Sequence, residues 1–205
     1  MVHTSIPFTM YRPSERPVSV SGGFCLLLGW FAWGCGWAPL VSILAAAAVH
    51  ELGHYTVLLS FGAAVHGLRI RVLGAVMEAD TARLTYGQEL LAVLAGPAAN
   101  LFWAAAVSVV AKGQLTAFVG ANVVLCLFNL LPVCPLDGGR ALYLLLSWRF
   151  GTAAGERVAA WTGLLGGIAL GAAVCCVTVF SGGSLWLLPA AAGVLTASVR
   201  LWKKK

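Results

Sequence analysis

Charged side chains are scarce in this chain of 205 residues: Asp, Glu, Lys and Arg together make up 10% of it, whereas 60% of the residues are hydrophobic. The mean hydropathy is +0.90. A water-soluble domain of this length cannot enclose so much apolar surface, so the composition indicates a polytopic membrane protein. A cleaved signal peptide is not indicated, because residues 12–17 interrupt the first apolar stretch with two arginines, two prolines and a glutamate.

The cysteine pattern and the charge pattern exclude two further classes. None of the six cysteines forms a CxxC pair, so neither a zinc knuckle nor a disulfide framework is indicated. The net charge of +6 is not gathered into a basic helix or an aromatic–basic platform, so no nucleic-acid partner is expected.

Six apolar segments have about the 20 residues that a membrane span needs. They cover residues 20–37, 40–61, 89–111, 115–150, 157–180 and 184–202, and Pro132 and Pro135 break the fourth. Pro39 is expected to mark the turn between the first two. The fold class predicted is therefore an all-α polytopic membrane protein of about six transmembrane helices. We divide it into an N-terminal cytoplasmic or interfacial segment (1–19), a six-helix membrane domain (20–202, catalytic core 40–150) and a basic cytoplasmic tail (203–205).

The basic residues predict the orientation of these spans. With six spans both termini lie on one side of the membrane, and nearly all the arginines and lysines fall on that side; Lys112 alone falls opposite. Positive residues favour the cytoplasm, so both termini are expected to be cytoplasmic.

The segment between the second and third spans has a different residue pattern. Apolar and arginine residues alternate over 68–72, and Gly74 interrupts the pattern before a second short run. This is typical of a short β-hairpin or re-entrant segment, whose open edge can pair with an extended peptide. An interfacial loop with arginines at the lipid head groups is an equal alternative.

The second span contains His50-Glu51-Leu52-Gly53-His54 within an otherwise apolar run. Ionisable groups near a bilayer centre cost about 2.5–3.5 kcal/mol each on insertion scales, so a group of them needs a functional reason. Histidines four residues apart lie on one helix face and can bind one metal ion, with Glu51 beside them as a base.

Catalytic zinc takes three protein ligands and leaves one position for water. We predict Asp137 as the third ligand, because it lies in the broken part of the fourth span, where freed backbone groups need a protein or wet cavity. His66 and the acidic residues 78, 80 and 89 belong to or adjoin the polar loop and are weaker candidates, and His3 lies near the chain end. Asp137 can alternatively cap the helix that follows Pro135.

Other polar groups near the break have open roles. Cys134 can be a soft ligand or a lining residue, and Arg140 a cation at the rim of the site. Asn100 and Asn129 are polar groups in apolar spans, for which contact with a substrate backbone and plain helix–helix bonding are both open.

Such a site predicts peptide hydrolysis inside a membrane. One zinc ion per chain would activate water and polarise the scissile carbonyl, and Glu51 would take the water's proton and deliver it to the leaving amine. Two imidazoles and a carboxylate favour zinc among common metals.

Four ordered motifs carry a resemblance to a known family. They are His50–His54, the segment 74–78, Ala95-Gly96-Pro97-Ala98-Ala99-Asn100, and the stretch 129–140 with Asn129-Leu130-Leu131-Pro132 and Pro135-Leu136-Asp137-Gly138-Gly139-Arg140. Together they resemble the site-two protease family of intramembrane zinc metalloproteases. The layout most resembles the bacterial sporulation branch that activates a sigma-factor precursor, although the CBS domain common in that branch is not in this sequence.

The resemblance implies zinc bound by His50, His54 and Asp137, with Glu51 as the catalytic base. It implies that Asn129 and Pro135 lie near the substrate path, that the Gly74 segment presents or gates substrate, and that Asn100 belongs to the third-span motif. It also implies a location in a bacterial cell membrane and a substrate that is a membrane protein or membrane-associated peptide, such as a sigma-factor precursor or anti-sigma factor. A separate membrane protein is implied as inhibitor or regulator.

Two alternatives to an enzyme are a membrane zinc-binding or transport protein and a scaffold that has lost activity. A transporter is expected to show repeats or several ionisable residues along successive spans, and spans one, five and six carry almost none. A scaffold needs the histidines to bind metal but has no need of Glu51.

Overall fold

The computed structural model describes residues 18–71, 74–113, 116–133 and 136–180. Over this part of the chain it contains six helices and a small sheet. The elements are β1 (Val18–Val20), α1 (Gly22–Cys35), α2 (Trp37–Ser60), β2 (Ala64–Arg71), β3 (Gly74–Asp80), α3 (Tyr86–Val110), α4 (Ala117–Asn129), α5 (Asp137–Phe150) and α6 (Thr152–Phe180).

Two of the described helices, α2 and α3, are long and apolar enough to cross a membrane. Their 24 and 25 residues correspond to about 36–38 Å at 1.5 Å per residue. α1 and α4 are apolar but shorter, with 14 and 13 residues. The expected six spans therefore remain a prediction, and the sixth, residues 184–202, lies outside the described residues.

The turn between α1 and α2 lies at Gly36 rather than at Pro39, where we expected it. Gly36 has φ +80°, a left-handed conformation that a residue without Cβ adopts easily. Pro39 is the third residue of α2, within the first turn, where its missing N–H leaves no helical hydrogen bond unmade.

The predicted hairpin is present and has a third strand. β2 and β3 pair antiparallel, with an irregularity between Val65 and Gly67. β1 pairs in parallel with the other edge of β2, Val18 lying opposite Leu68. Val20, expected to open the first span, is therefore the last strand residue. An apolar cluster that includes Leu58, Ala63, Leu84 and Ala92 packs the sheet against α2 and α3.

The predicted fourth span is two helices, as its prolines indicate. α4 ends at Asn129 and α5 begins at Asp137. Gly138 lies so close to the Leu130 backbone that a Cβ there would overlap it. α3 contacts α2, α4 and α5, so the motif-bearing helices all adjoin one central helix.

Several sequence-based predictions fall on residues that the structure does not describe. These are the first part of the N-terminal segment (1–17), Cys134, Pro135, the sixth span and the tail at 203–205. The division into three domains stays a prediction.

Candidate metal centre

The two histidines of the motif lie on the face of α2 that adjoins α3. Their Nε2 atoms are 3.1 Å apart, as expected for residues one helical turn apart. Two glycines allow this close approach. A Cβ on Gly53 would overlap Ala95 of α3, and a Cβ on Gly96 would overlap the imidazole rings of both His50 and His54.

Asp137 reaches the same point from α5. Its Oδ2 atom lies 3.0 Å from Nε2 of His50 and 3.3 Å from Nε2 of His54. Asp137 is the first residue of α5, the N-cap is Leu136, and no side chain caps this helix. The alternative role of Asp137 as a helix cap is therefore wrong, because its carboxylate faces the histidines instead.

The outer nitrogen of each ring has a fixed partner. Nδ1 of His50 lies 2.7 Å from the side-chain oxygen of Asn100, and Nδ1 of His54 lies 2.8 Å from the carbonyl oxygen of Ala92. Both partners are acceptors. The Ala92 carbonyl oxygen can only accept, and the side-chain oxygen of Asn100 is the atom that faces His50 because the amide nitrogen of Asn100 donates to Ala46 O. Each Nδ1 therefore carries the hydrogen, and each Nε2 presents a lone pair.

Three lone-pair donors thus converge within one small volume. Oδ2 of Asp137 is buried and has no hydrogen-bond donor among the described residues. Three acceptors about 3 Å apart repel one another unless a positive charge lies between them. Donor atoms about 2.0–2.1 Å from a tetrahedral zinc lie about 3.3 Å apart, close to the spacing in this triad. Two imidazoles and a carboxylate therefore fit a zinc ion.

This group is the metal-binding candidate among the described residues. His66, one of the weaker ligand candidates, lies on β2, and Glu78 and Asp80 lie on β3. Glu78 is ion-paired with Arg69. None of the three joins the triad.

Glu51 lies beside the triad without being part of it. It is partly buried and interacts electrostatically with His54, His50 and Asp137. A carboxylate next to the triad and outside it can serve as a base, and that role stays a prediction.

The residues predicted to contact substrate are spread over the fold. Asn129 is the last residue of α4, and its amide nitrogen donates to Leu125 O at 3.1 Å. Gly74 opens β3 with φ +119° and is exposed. Asn100 is fully enclosed and hydrogen-bonded to His50, so the structure gives it a contact to a predicted metal ligand rather than an open face.

Arg140, expected at the rim of the site, joins α5 to α3. Its guanidinium lies 2.6 Å from Oε1 of Glu89, and its side chain is half exposed. Arg140 is three residues after Asp137, so this ion pair ties the first turn of α5 to the first turn of α3.

Sequence reasoning missed three parts of the site: the Ala92 carbonyl, the contact of Gly96 with the histidine rings, and Asn122. A backbone carbonyl leaves no signal in a sequence. Asn122 does leave one, because it is an amide within the apolar helix α4, the same signal that singled out Asn100 and Asn129.

Parts of this chain match a known family and known proteins. Residues 111–173, which include Asp137 and all of α4 and α5, match Peptidase family M50. A protein of Synechocystis sp. that carries a provisional zinc metalloprotease name is 32% identical over 130 residues, 58% of this chain and 34% of the relative. Stage IV sporulation protein FB of Bacillus subtilis is 30% identical over 115 residues, 53% of this chain and 40% of that protein. The chain thus matches about two fifths or less of the length of these relatives.

The fold has a solved counterpart. The site-2 protease from Methanocaldococcus jannaschii superposes with a TM-score of 0.69 at 21% identity, covering 94% of each chain. The fold is that of a site-2 protease. The resemblance of this chain to the site-two protease family, Peptidase family M50, is therefore confirmed by the family match, the sequence relatives and the fold.

Proposed function

We propose that this protein is an intramembrane zinc endopeptidase that hydrolyses peptide bonds of membrane-associated or transmembrane substrates. The observation that supports it most directly is the convergence of three lone-pair donors beside Glu51, two from the apolar helix α2 and one from α5. Ionisable groups are costly in such a helix unless they bind something or react.

Each residue has a role in this proposal. His50, His54 and Asp137 hold one Zn²⁺, which when bound supplies Lewis-acid activation of water and of the scissile carbonyl. Glu51 accepts a proton from the attacking water and returns it to the leaving nitrogen as the C–N bond breaks. The new carboxyl terminus keeps the water's oxygen, so atoms and protons balance.

The surface of the described helices supports a lipid environment. Large apolar side chains stand exposed on α1, α2 and α3, among them Leu26 (78% exposed), Trp33 (77%) and Val110 (83%). On a water-exposed protein, apolar faces of this extent favour aggregation, whereas in a bilayer they need no protein partner.

We also propose a multi-pass arrangement in a bacterial cell membrane with both termini cytoplasmic. The pairing of β1 with β2 supports it, because it brings the residues that precede α1 to the end of the molecule where α2 stops and α3 begins. Arg69 and Arg83 lie in that region too. Lys112 follows α3 at its other end, and basic residues favour the cytoplasmic side. Cleavage of a sigma-factor precursor or anti-sigma factor belongs to the same proposal and rests on the resemblance to the sporulation branch; one relative carries a sporulation name.

A reconstituted cleavage assay tests the proposal. The purified protein in liposomes is incubated with labelled transmembrane peptides of varied sequence, and products are identified by mass spectrometry. We expect new termini from the parent and a loss of at least about 100-fold in Glu51→Gln, the usual effect of removing a general base.

The controls separate an enzyme from a zinc carrier. Glu156→Gln changes a glutamate of α6, outside the site, and is expected to cleave as the parent does. Glu51→Gln is expected to keep one zinc per chain. Equal cleavage by Glu51→Gln and the parent contradicts the proposed mechanism. Zinc binding by the parent without any cleavage favours the transport or scaffold alternatives.

A further inference from the structure

The carbonyl oxygen of Asn100 faces His50 because a second amide, on a third helix, holds it in that orientation. The amide nitrogen of Asn100 on α3 lies 2.8 Å from the side-chain oxygen of Asn122 on α4 and 2.9 Å from Ala46 O on α2. An Asn side chain has two donor hydrogens, and both are used by these acceptors.

The orientation of Asn122 is fixed in turn. Its own amide nitrogen donates to Phe118 O at 2.9 Å, so its oxygen is the atom turned toward Asn100. Both asparagines are 0% exposed, so water cannot substitute for a missing partner. An unpaired amide is costly in an apolar interior, which favours the one arrangement that satisfies every group.

This chain of hydrogen bonds ends at the candidate metal site. If Asn100 turned over, its NH₂ group would face Nδ1 of His50, and Nδ1 would have to accept. The hydrogen of the ring would then move to Nε2 and point at Asp137 and His54, where it would block a metal ion. The hydrogen bond from Asn100 to Asn122 opposes that flip.

We propose that Asn122 is a positioning residue for the metal site, acting through Asn100 to hold His50 with its Nε2 lone pair toward the metal. The inference rests on the zinc site of the proposed function but goes beyond it, because neither the motifs nor the family match assigns Asn122 a role. Loss of a residue behind a metal-binding histidine typically weakens metal affinity about 10–100-fold.

Zinc affinity and the spectrum of the cobalt-substituted protein test this without an activity assay. Asn122→Leu keeps the branched shape and the number of side-chain heavy atoms, with a larger volume, but has no acceptor for Asn100. Its zinc dissociation constant, measured by competition with a chromophoric chelator in detergent, is expected to rise about tenfold or more, with altered visible bands of bound Co²⁺. Asn122→Asp keeps an acceptor oxygen toward Asn100, and its protonated carboxyl replaces the amide as the donor to Phe118 O, so it is expected to bind zinc within about threefold of the parent.

Cys126→Ala is the matched control. Cys126 is buried on α4 one turn after Asn122. Its replacement by alanine shows how much zinc affinity and stability change when any buried side chain of this helix is shortened. The thermal unfolding midpoint of each metal-free protein is measured in parallel. If Asn122 positions His50, Asn122→Leu lowers the zinc affinity more than Cys126→Ala does. A merely structural role lowers the midpoint and leaves the zinc affinity and the cobalt spectrum as in Cys126→Ala.

Parent-like affinity and cobalt spectrum in Asn122→Leu overturn the inference. If Asn122→Leu does not fold, Asn122→Ala is used in its place. A tenfold loss of zinc affinity in Asn122→Asp also overturns the inference. These results do not depend on cleavage. A parent protein that binds zinc but cleaves nothing defeats the proposed peptidase activity and leaves the role of Asn122 to be judged by affinity alone.

Discussion

Gly96 lies directly against the imidazole ring of His54, so close that even a single methyl group on its Cα would overlap the ring at Nε2. The same methyl group would also come within 2.8 Å of Cε1 of His50. The close packing of α3 on α2 therefore depends on a missing side chain at the point where the Nε2 atoms of both predicted metal ligands lie. Pro97 follows in the helix interior and is buried as well.

Gly96→Ala is expected to weaken zinc binding by at least about tenfold, because the histidine rings must leave their positions to make room. Zinc content after purification and chelator competition measure it. Gly87→Ala, in the same helix, adds a methyl group to open space and is expected to bind zinc as the parent does. Equal zinc affinity in the two variants would show that the rings have room to move without loss of the site.

Asp137→Asn is expected to lose nearly all bound zinc, because an amide is a far weaker zinc ligand than a carboxylate. His54→Ala should behave the same way. Asp80→Asn is the matched control, since Asp80 is an exposed residue at the end of β3. Metal analysis by mass spectrometry decides the result. Zinc retained at one per chain in Asp137→Asn would remove Asp137 from the ligand set.

Gly138→Ala is expected to lower the unfolding midpoint and the zinc affinity together. A Cβ at this position would overlap the Leu130 and Leu131 backbones, and overpacking of this kind costs about 1–3 kcal/mol. Because Asp137 is the neighbouring residue, a shift of the first turn of α5 also moves its carboxylate. Gly120→Ala, on α4 and facing open space, provides the comparison. A stable Gly138→Ala protein with parent zinc affinity would contradict this account of the junction.

The ion pair of Arg140 and Glu89 is expected to matter little for stability. Its arginine is half exposed, and exposed pairs contribute about 0–1 kcal/mol. A double-mutant cycle with Arg140→Met and Glu89→Gln, followed by thermal unfolding, measures the coupling. A coupling well above this range would mean that the pair is shielded from solvent and helps to hold α5 against α3.

Much of this architecture follows from short-range pattern. Spacing of four residues places His50 and His54 on one helix face whatever surrounds them, and the alternation over 68–72 indicates the hairpin. Pro132 and Pro135 break the fourth apolar segment because proline cannot continue a helix without losing a hydrogen bond. The prediction that Pro39 marks the turn between α1 and α2 was wrong, because proline is tolerated in the first turn of a helix. The chain reverses at Gly36 instead.

The sequence by itself determined the chemistry of the site: which residues can bind a metal and which can act as a base. Only the tertiary structure decided that Asp137, 87 positions after His50 and on another helix, meets it at 3.0 Å. It also turned Asn100 toward His50 and Asn122 toward Asn100, and it added β1 to the hairpin. The physical reason is that helix and strand patterns record neighbours a few residues apart. Contacts between distant segments depend instead on how small residues such as Gly53 and Gly96 allow helices to pack, and on which buried amides must find partners.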